Sequence, residues 1–164
     1  MASSDLVVSP VATKADLKEF IRLPRRLYAG HKGWVAPLNV ERQEAFSPKK
    51  NPLFKHAEVQ FFLARRAGRV VGRISAQVDR AYLEQYADST GQFGCLVAED
   101  DPAIFAALFA VAEVWLKARG MVRVTGPFSL SINEEVGLLV DGFDSRPVLM
   151  VPYDPPYAGA RVEA

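Results

Sequence analysis

Residues 58–78 read EVQFFLARRAGRVVGRISAQV, and the fold turns on this stretch. Val59, Phe61 and Leu63 alternate with Gln60, Phe62 and Ala64. After Ala67-Gly68, Val70, Gly72, Ile74, Ala76 and Val78 alternate with Val71, Arg73, Ser75 and Gln77. A period of two on both sides of a Gly-containing turn predicts a β-hairpin. Gly68 supplies the positive φ that such a turn requires. Apolar residues stand on both faces, so the hairpin is expected to sit centrally in a sheet with cover on each side.

The flanking sequence supplies that cover. Leu6 to Val8 read as a first strand, ended by Pro10. Thr13 is an N-cap with Asp16 placed near the positive end of the helix it opens. Leu17, Phe20, Ile21, Leu27 and Tyr28 form its apolar face, and Pro24 is expected to kink or split it. Leu38 to Phe46 reads as a second short helix. Ser47 to His56, with two prolines and three lysines, reads as irregular. Beyond the hairpin, Asp79 caps a short helix that runs to Tyr86, and Gln92 to Ala98 is a strand. Asp101 and Pro102 open the strongest helix, whose stripe is Ile104, Phe105, Leu108, Val111, Ala112, Trp115 and Leu116. Met121 to Thr125 is then a strand, giving a right-handed parallel crossover. Val148 to Val151 reads as one more strand, Pro152 to Tyr157 as a rigid loop, and Ala158 to Ala164 as the start of a helix.

The bulk numbers narrow the function classes. A length of 164 residues favours a single domain, 1–164, and 49% hydrophobic with 24% charged residues is an ordinary globular balance. The formal net charge of +1 argues against a general nucleic-acid binder. A single cysteine, Cys95, excludes an intrachain disulfide and favours a reducing cytoplasm. MASSDLVVSP lacks the n- and h-regions of a signal peptide. Ala103 to Leu116 is too short and too amphipathic to span a bilayer.

The order of strand, helix pair, hairpin, strand, long helix, strand resembles the GNAT N-acetyltransferase superfamily. ARRAGRVVGRISA is similar to that superfamily's second and third strands. PKKNPLFKHAEVQFFLAR, GPFSLSINEEVGLLVDGFD and MVPYDPPY resemble the N-terminal part of longer GNAT-related proteins. The resemblance implies an α/β (α+β) fold: a mixed, mostly antiparallel central sheet with helices on both faces. The fourth and fifth strands would splay apart, and acetyl-CoA or another acyl-CoA would enter the gap. Backbone groups near Cys95, Leu96 and Val97 would then face the pantetheine arm. A GNAT domain ends with a further helix and strand pair, so the fold is expected to be incomplete at residue 164, its sheet finished by a second domain or a homodimer partner.

Where superfamily members carry a glycine-rich loop for the CoA diphosphate, this sequence has Glu99-Asp100-Asp101-Pro102-Ala103. The three carboxylates are expected to repel a diphosphate, and Pro102 removes one N–H donor. Among candidate site residues, Glu134 is placed to act as general base, with Asn133, Glu135 and Asp141 binding the acceptor. Helix capping by Ser131 or Asn133 is the competing reading. Tyr153 and Tyr157 are candidates to protonate a departing thiolate, against simple packing among the prolines. Cys95 reads as a core cysteine rather than a nucleophile. His31 and His56 lack metal-ligand spacing, and no metal is expected. Two functions follow as expectations. One is an N-acyltransferase moving an acyl group to a small-molecule or peptide amine. The other is a non-catalytic GNAT-like module that has lost the diphosphate loop and binds a ligand or partner.

Overall fold

The computed structural model describes residues 6–164. Five strands form one sheet in the order β1-β2-β3-β4-β5. They are β1 (Leu6–Pro10), β2 (Ala57–Arg66), β3 (Arg69–Asp79), β4 (Thr90–Ala98) and β5 (Arg123–Thr125). The first four are antiparallel, and β4 and β5 are parallel. The hairpin β2–β3 is the centre of the sheet, and its turn places both Ala67 and Gly68 at positive φ.

One face of the sheet packs on α4 (Pro102–Lys117). Here Ile74, Ala76 and Val78 meet Ile104, Phe105, Leu108, Ala112 and Leu116 in a wholly apolar cluster. Gly72 lets the helix approach: a Cβ there would lie 2.8 Å from Ile104 and 2.9 Å from Leu108. Asp101 caps α4 by accepting the Ala103 N–H at 2.8 Å, and Pro102 occupies the first turn, as the sequence predicts.

The opposite face packs on α1 (Lys14–Leu27), α2 (Asn39–Ala45) and a 3-10 turn at Pro52–Lys55. Thr13 and Asp16 form a reciprocal capping box at the start of α1. Pro24 does not split α1. It sits in the last turn, where its missing N–H costs one bond near the helix end, and its carbonyl accepts the Tyr28 N–H at 2.8 Å. The short α3 (Arg80–Tyr86) is capped by Asp79 as expected.

After β5 the chain turns through a cis Gly126–Pro127 bond into a two-stranded ribbon, β6 (Phe128–Ser129) with β7 (Glu135–Val136). The competing helix-capping reading of residues 131–135 is not what forms. Residues 148–151 are not a strand either: Leu149 is 89% exposed, and among the described residues no strand pairs with them. The chain ends in α5 (Ala158–Glu163). Among the described residues no helix is long and apolar enough to cross a membrane.

Candidate functional site

The expected splay is present. β4 pairs with β5 only through Thr90, Gly91 and Gln92. Further along, β6 lies beside Gly94, whose missing side chain leaves room for the Phe128 carbonyl. The Cys95 N–H donates to Ser129 Oγ at 3.3 Å. Opposite β3 the register slips: Ser75 pairs with Gly94 but Arg73 pairs with Val97, so Cys95 and Leu96 form a bulge. Cys95 has φ of 49°, a conformation uncommon for a residue with a side chain. A bulge re-aims backbone and side chains and ends regular pairing.

Above this bulge lies a cleft of about 520 Å³. Cys95, Leu96 and Val97 line its floor, Tyr28, Trp34 and Pro37 one wall, and residues 147–154 a strap across the other side. Glu134, Glu135, Tyr153 and Asp154 also face it. The structure therefore gathers Glu134, Glu135, Tyr153, Cys95, Leu96 and Val97 into one place from three separate segments of sequence.

Each polar group has a defined setting. Glu134 accepts from Asn51 Nδ2 at 3.3 Å, and burial raises its pKa above the usual carboxylate value. Glu135 lies 3.8 Å from the Arg42 guanidinium. The Tyr153 hydroxyl is 2.7 Å from His31 Nδ1, and its ring meets Tyr28 edge-on. Burial also raises the Tyr153 pKa. Asp154 is 8% exposed, accepts the Leu139 N–H at 3.0 Å, and is pushed up to about 6 by burial. A carboxylate poised near neutrality in a cleft suits proton transfer. Sequence reading passed over Asp154, although it stands inside the quoted MVPYDPPY. The missing signal was burial, which the rigid flanking prolines hinted at. Burial raises the pKa of the Cys95 thiol as well, in keeping with a core cysteine.

Other predicted residues lie elsewhere. Asn133 is exposed in the β6–β7 turn and donates its N–H to Ser131 Oγ. Asp141 lines a separate, smaller cavity of about 140 Å³ with Phe143 and Arg146. Tyr157 donates its hydroxyl to the Ala98 carbonyl at 2.7 Å, and burial takes its pKa to about 12. It seals the end of β4 instead of facing the cleft.

The Glu99–Asp101 corner corrects one expectation. Its acids do not project bare charge. Arg69 and Arg26 pair with Glu99, Arg161 with Asp100, and Arg66 with Asp101. Four guanidinium groups thus meet three carboxylates. Few backbone donors are left free at this corner. The Glu99 N–H is taken by Val71 O, the Asp101 N–H by Glu99 O, and the Ala103 N–H by the Asp101 side chain, while Pro102 has none. The donors at the start of α4 are already used. Among the described residues no group of three or more His, Cys, Asp or Glu is placed to hold a metal ion.

No family model matches the chain. It is 56% identical over 162 residues to a bacterial ceramide synthase of Caulobacter vibrioides and 46% identical over 163 residues to protein YghO of Escherichia coli. It covers 98% and 99% of its own length in these matches but 42% of either relative, so it spans about two-fifths of the curated relatives it matches. Among solved structures it resembles a tandem GNAT protein from the clavulanic acid biosynthesis pathway, with TM-score 0.60, 19% identity, and coverage of 97% of this chain and 42% of that one. It also resembles a predicted acetyltransferase from Clostridium acetobutylicum solved with acetyl-CoA, with TM-score 0.52, 12% identity, and coverage of 73% and 79%. The sheet order, the splayed β4–β5 pair and these likenesses agree: the chain has the GNAT acetyltransferase fold.

Proposed function

We propose that this chain is part of an N-acyltransferase in which an amine meets an acyl-CoA thioester, and that the cleft over Cys95–Val97 is the meeting place. One observation carries the reading: β4 ends its ladder with β5 at Gln92 and bulges at Cys95, which sets Cys95, Leu96 and Val97 beneath a cleft bordered by carboxylates. The Caulobacter relative is named for making ceramide, which is an N-acylated long-chain amino alcohol. A long-chain amine is accordingly the acceptor class we assign, and the apolar strap with exposed Val148, Leu149 and Met150 suits its hydrocarbon tail.

The roles follow from the settings. The amine nitrogen attacks the thioester carbonyl, and Glu134 or Asp154 takes the proton that nitrogen loses. Burial gives both carboxylates enough basicity for that task. Tyr153, held by His31, protonates the departing thiolate. The β4 segment at Leu96 and Val97, just past the Cys95 contact with Ser129, fits the acyl-pantetheine end of the donor. The start of α4 does not fit its diphosphate, and no grip on that group is assigned to this chain.

Titration calorimetry with octanoyl-CoA and octanoyl-pantetheine tests the reading. The two should bind within about threefold of each other, since the diphosphate gains no charge-assisted hydrogen bonds. Absence of heat with both ligands would overturn it. A second reading, a non-catalytic GNAT-like module packed against another domain or copy, is favoured by the fully used N–H groups at α4. It predicts no amide product when the thioester and a long-chain amine are supplied together.

A further inference from the structure

Arg73 stands on β3 directly across from Val97 and lines the same cleft. It is 9% exposed. Its Nη1 donates to the Phe20 carbonyl at 2.6 Å, and its guanidinium carbon lies 4.7 Å from the centre of the Phe20 ring. Its Nε has no hydrogen-bond partner among the described residues. Among the described residues no carboxylate comes within 4.0 Å of it, whereas Arg42 in the same cleft has Glu135 at 3.8 Å. A buried, unpaired guanidinium is costly, and proteins keep such a charge where something negative arrives.

We propose that Arg73 supplies the fixed positive charge for the acyl carbonyl oxygen. The inference rests on the N-acyl transfer reading and assigns a residue that reading leaves out. When the amine nitrogen forms its bond to the carbonyl carbon, the C=O electron pair moves onto oxygen. On collapse the pair returns, the C–S bond breaks, and the thiolate leaves with its electrons. The proton lost by nitrogen rests on the carboxylate, Tyr153 gives its proton to sulfur, and one proton passing through solvent from the carboxyl group to the tyrosinate restores both. The charge on oxygen exists only between these two events. A guanidinium already desolvated and held by Phe20 stabilises it without reorganising.

Octanoate serves as the charged stand-in and octanamide as its neutral counterpart, each titrated into the intact chain. Octanoate should bind about tenfold or more tightly than octanamide, as expected for a hydrogen bond between two charged groups. The preference should vanish in Arg73→Gln and survive in part in Arg73→Lys. The Arg73 Nε–H resonance of the unaltered protein should move when octanoate is added, which keeps the test decisive if Arg73→Gln fails to fold. Equal affinity for the two probes, a preference that survives Arg73→Gln, or an unmoved Nε–H signal would overturn the role of Arg73. Binding of octanamide and octanoyl-pantetheine with no octanoate preference breaks this inference alone. Failure of all three to bind breaks the acyl-cleft reading beneath it.

Discussion

The two faces of the sheet are built from the same strands and do opposite work. Toward α4, β3 presents Ile74, Ala76 and Val78, and the interface is dry and apolar. Toward α1, the intervening residues Arg73, Ser75 and Gln77 are equally buried but polar. Several of their atoms, Arg73 Nε, Ser75 Oγ and Gln77 Oε1, have no partner among the described residues. The first face maximises hydrophobic stabilisation. The second gives some of it up, and it is there that the bulge and the cleft lie. Buried polar groups left unsatisfied are expensive, so their concentration on one face marks where structure yields to function.

The sharpest way to break this contrast is on the apolar side. Leu108 is fully buried in α4. Leu108→Ala should lower unfolding free energy by about 2–5 kcal/mol in urea titrations and leave ligand affinity in the cleft unchanged. Loss of binding alongside stability would show that the faces are not separable.

Next in size is Gly94→Ala, where a Cβ would overlap the Phe128 carbonyl. Backbone cannot yield as a side chain does, so a loss of about 1–3 kcal/mol is expected. Here, unlike at Leu108, binding in the cleft should fall too, because β6 is displaced from beside the bulge.

Asp154 sharpens the comparison through pH. Its folded pKa of about 6 lies above the ordinary 3.8. Between roughly pH 4 and 6 the folded state therefore holds more protons than the unfolded state. Stability should fall as pH rises through that window, by on the order of 2 kcal/mol, and level off above it. Asp154→Asn should flatten the slope, as read from urea midpoints at pH 4, 5, 6 and 7. An unchanged slope would mean that Asp154 is not the group responsible.

The smallest effect should carry the opposite sign. Ser75 is fully buried with an unpartnered hydroxyl. Ser75→Ala should be neutral or stabilising by up to about 1 kcal/mol in the same titrations, since it removes a desolvated group that gains nothing. A loss above that size would reveal a partner for Ser75 and weaken the picture of a polar face held at a cost.

Much of the apolar half was legible because its signals are local. Period-two alternation fixed the hairpin, and Asp101-Pro102 fixed the start of α4. The splay of β4 came from the resemblance to the GNAT superfamily, and the structure bears it out. The rest depends on distance in sequence. The three acids at 99–101 read as a repulsive cluster because their partners, Arg26, Arg66, Arg69 and Arg161, come from four other segments. Cover was expected on both faces of the hairpin, but alternation does not show that Arg73 would be buried without a carboxylate beside it. Residues 131–154 lack any period, and their path is set by contacts such as Leu139 N–H with Asp154 and the seating of Phe128 on Gly94. Residues 148–151 looked like a strand from composition alone, but a strand needs a neighbour and none is there among the described residues.

The early parting of β4 from β5 leaves one strand with two unequal lifetimes toward solvent. Peptide N–H groups of β4 that point away from β3 are locked near Gly91 and Gln92, where β5 accepts them, and lack such a neighbour near Leu96 and Val97. Deuterium should therefore enter the far half of this strand well before the near half. A ligand lying along the bulge would be recorded as a slowing confined to those few amides.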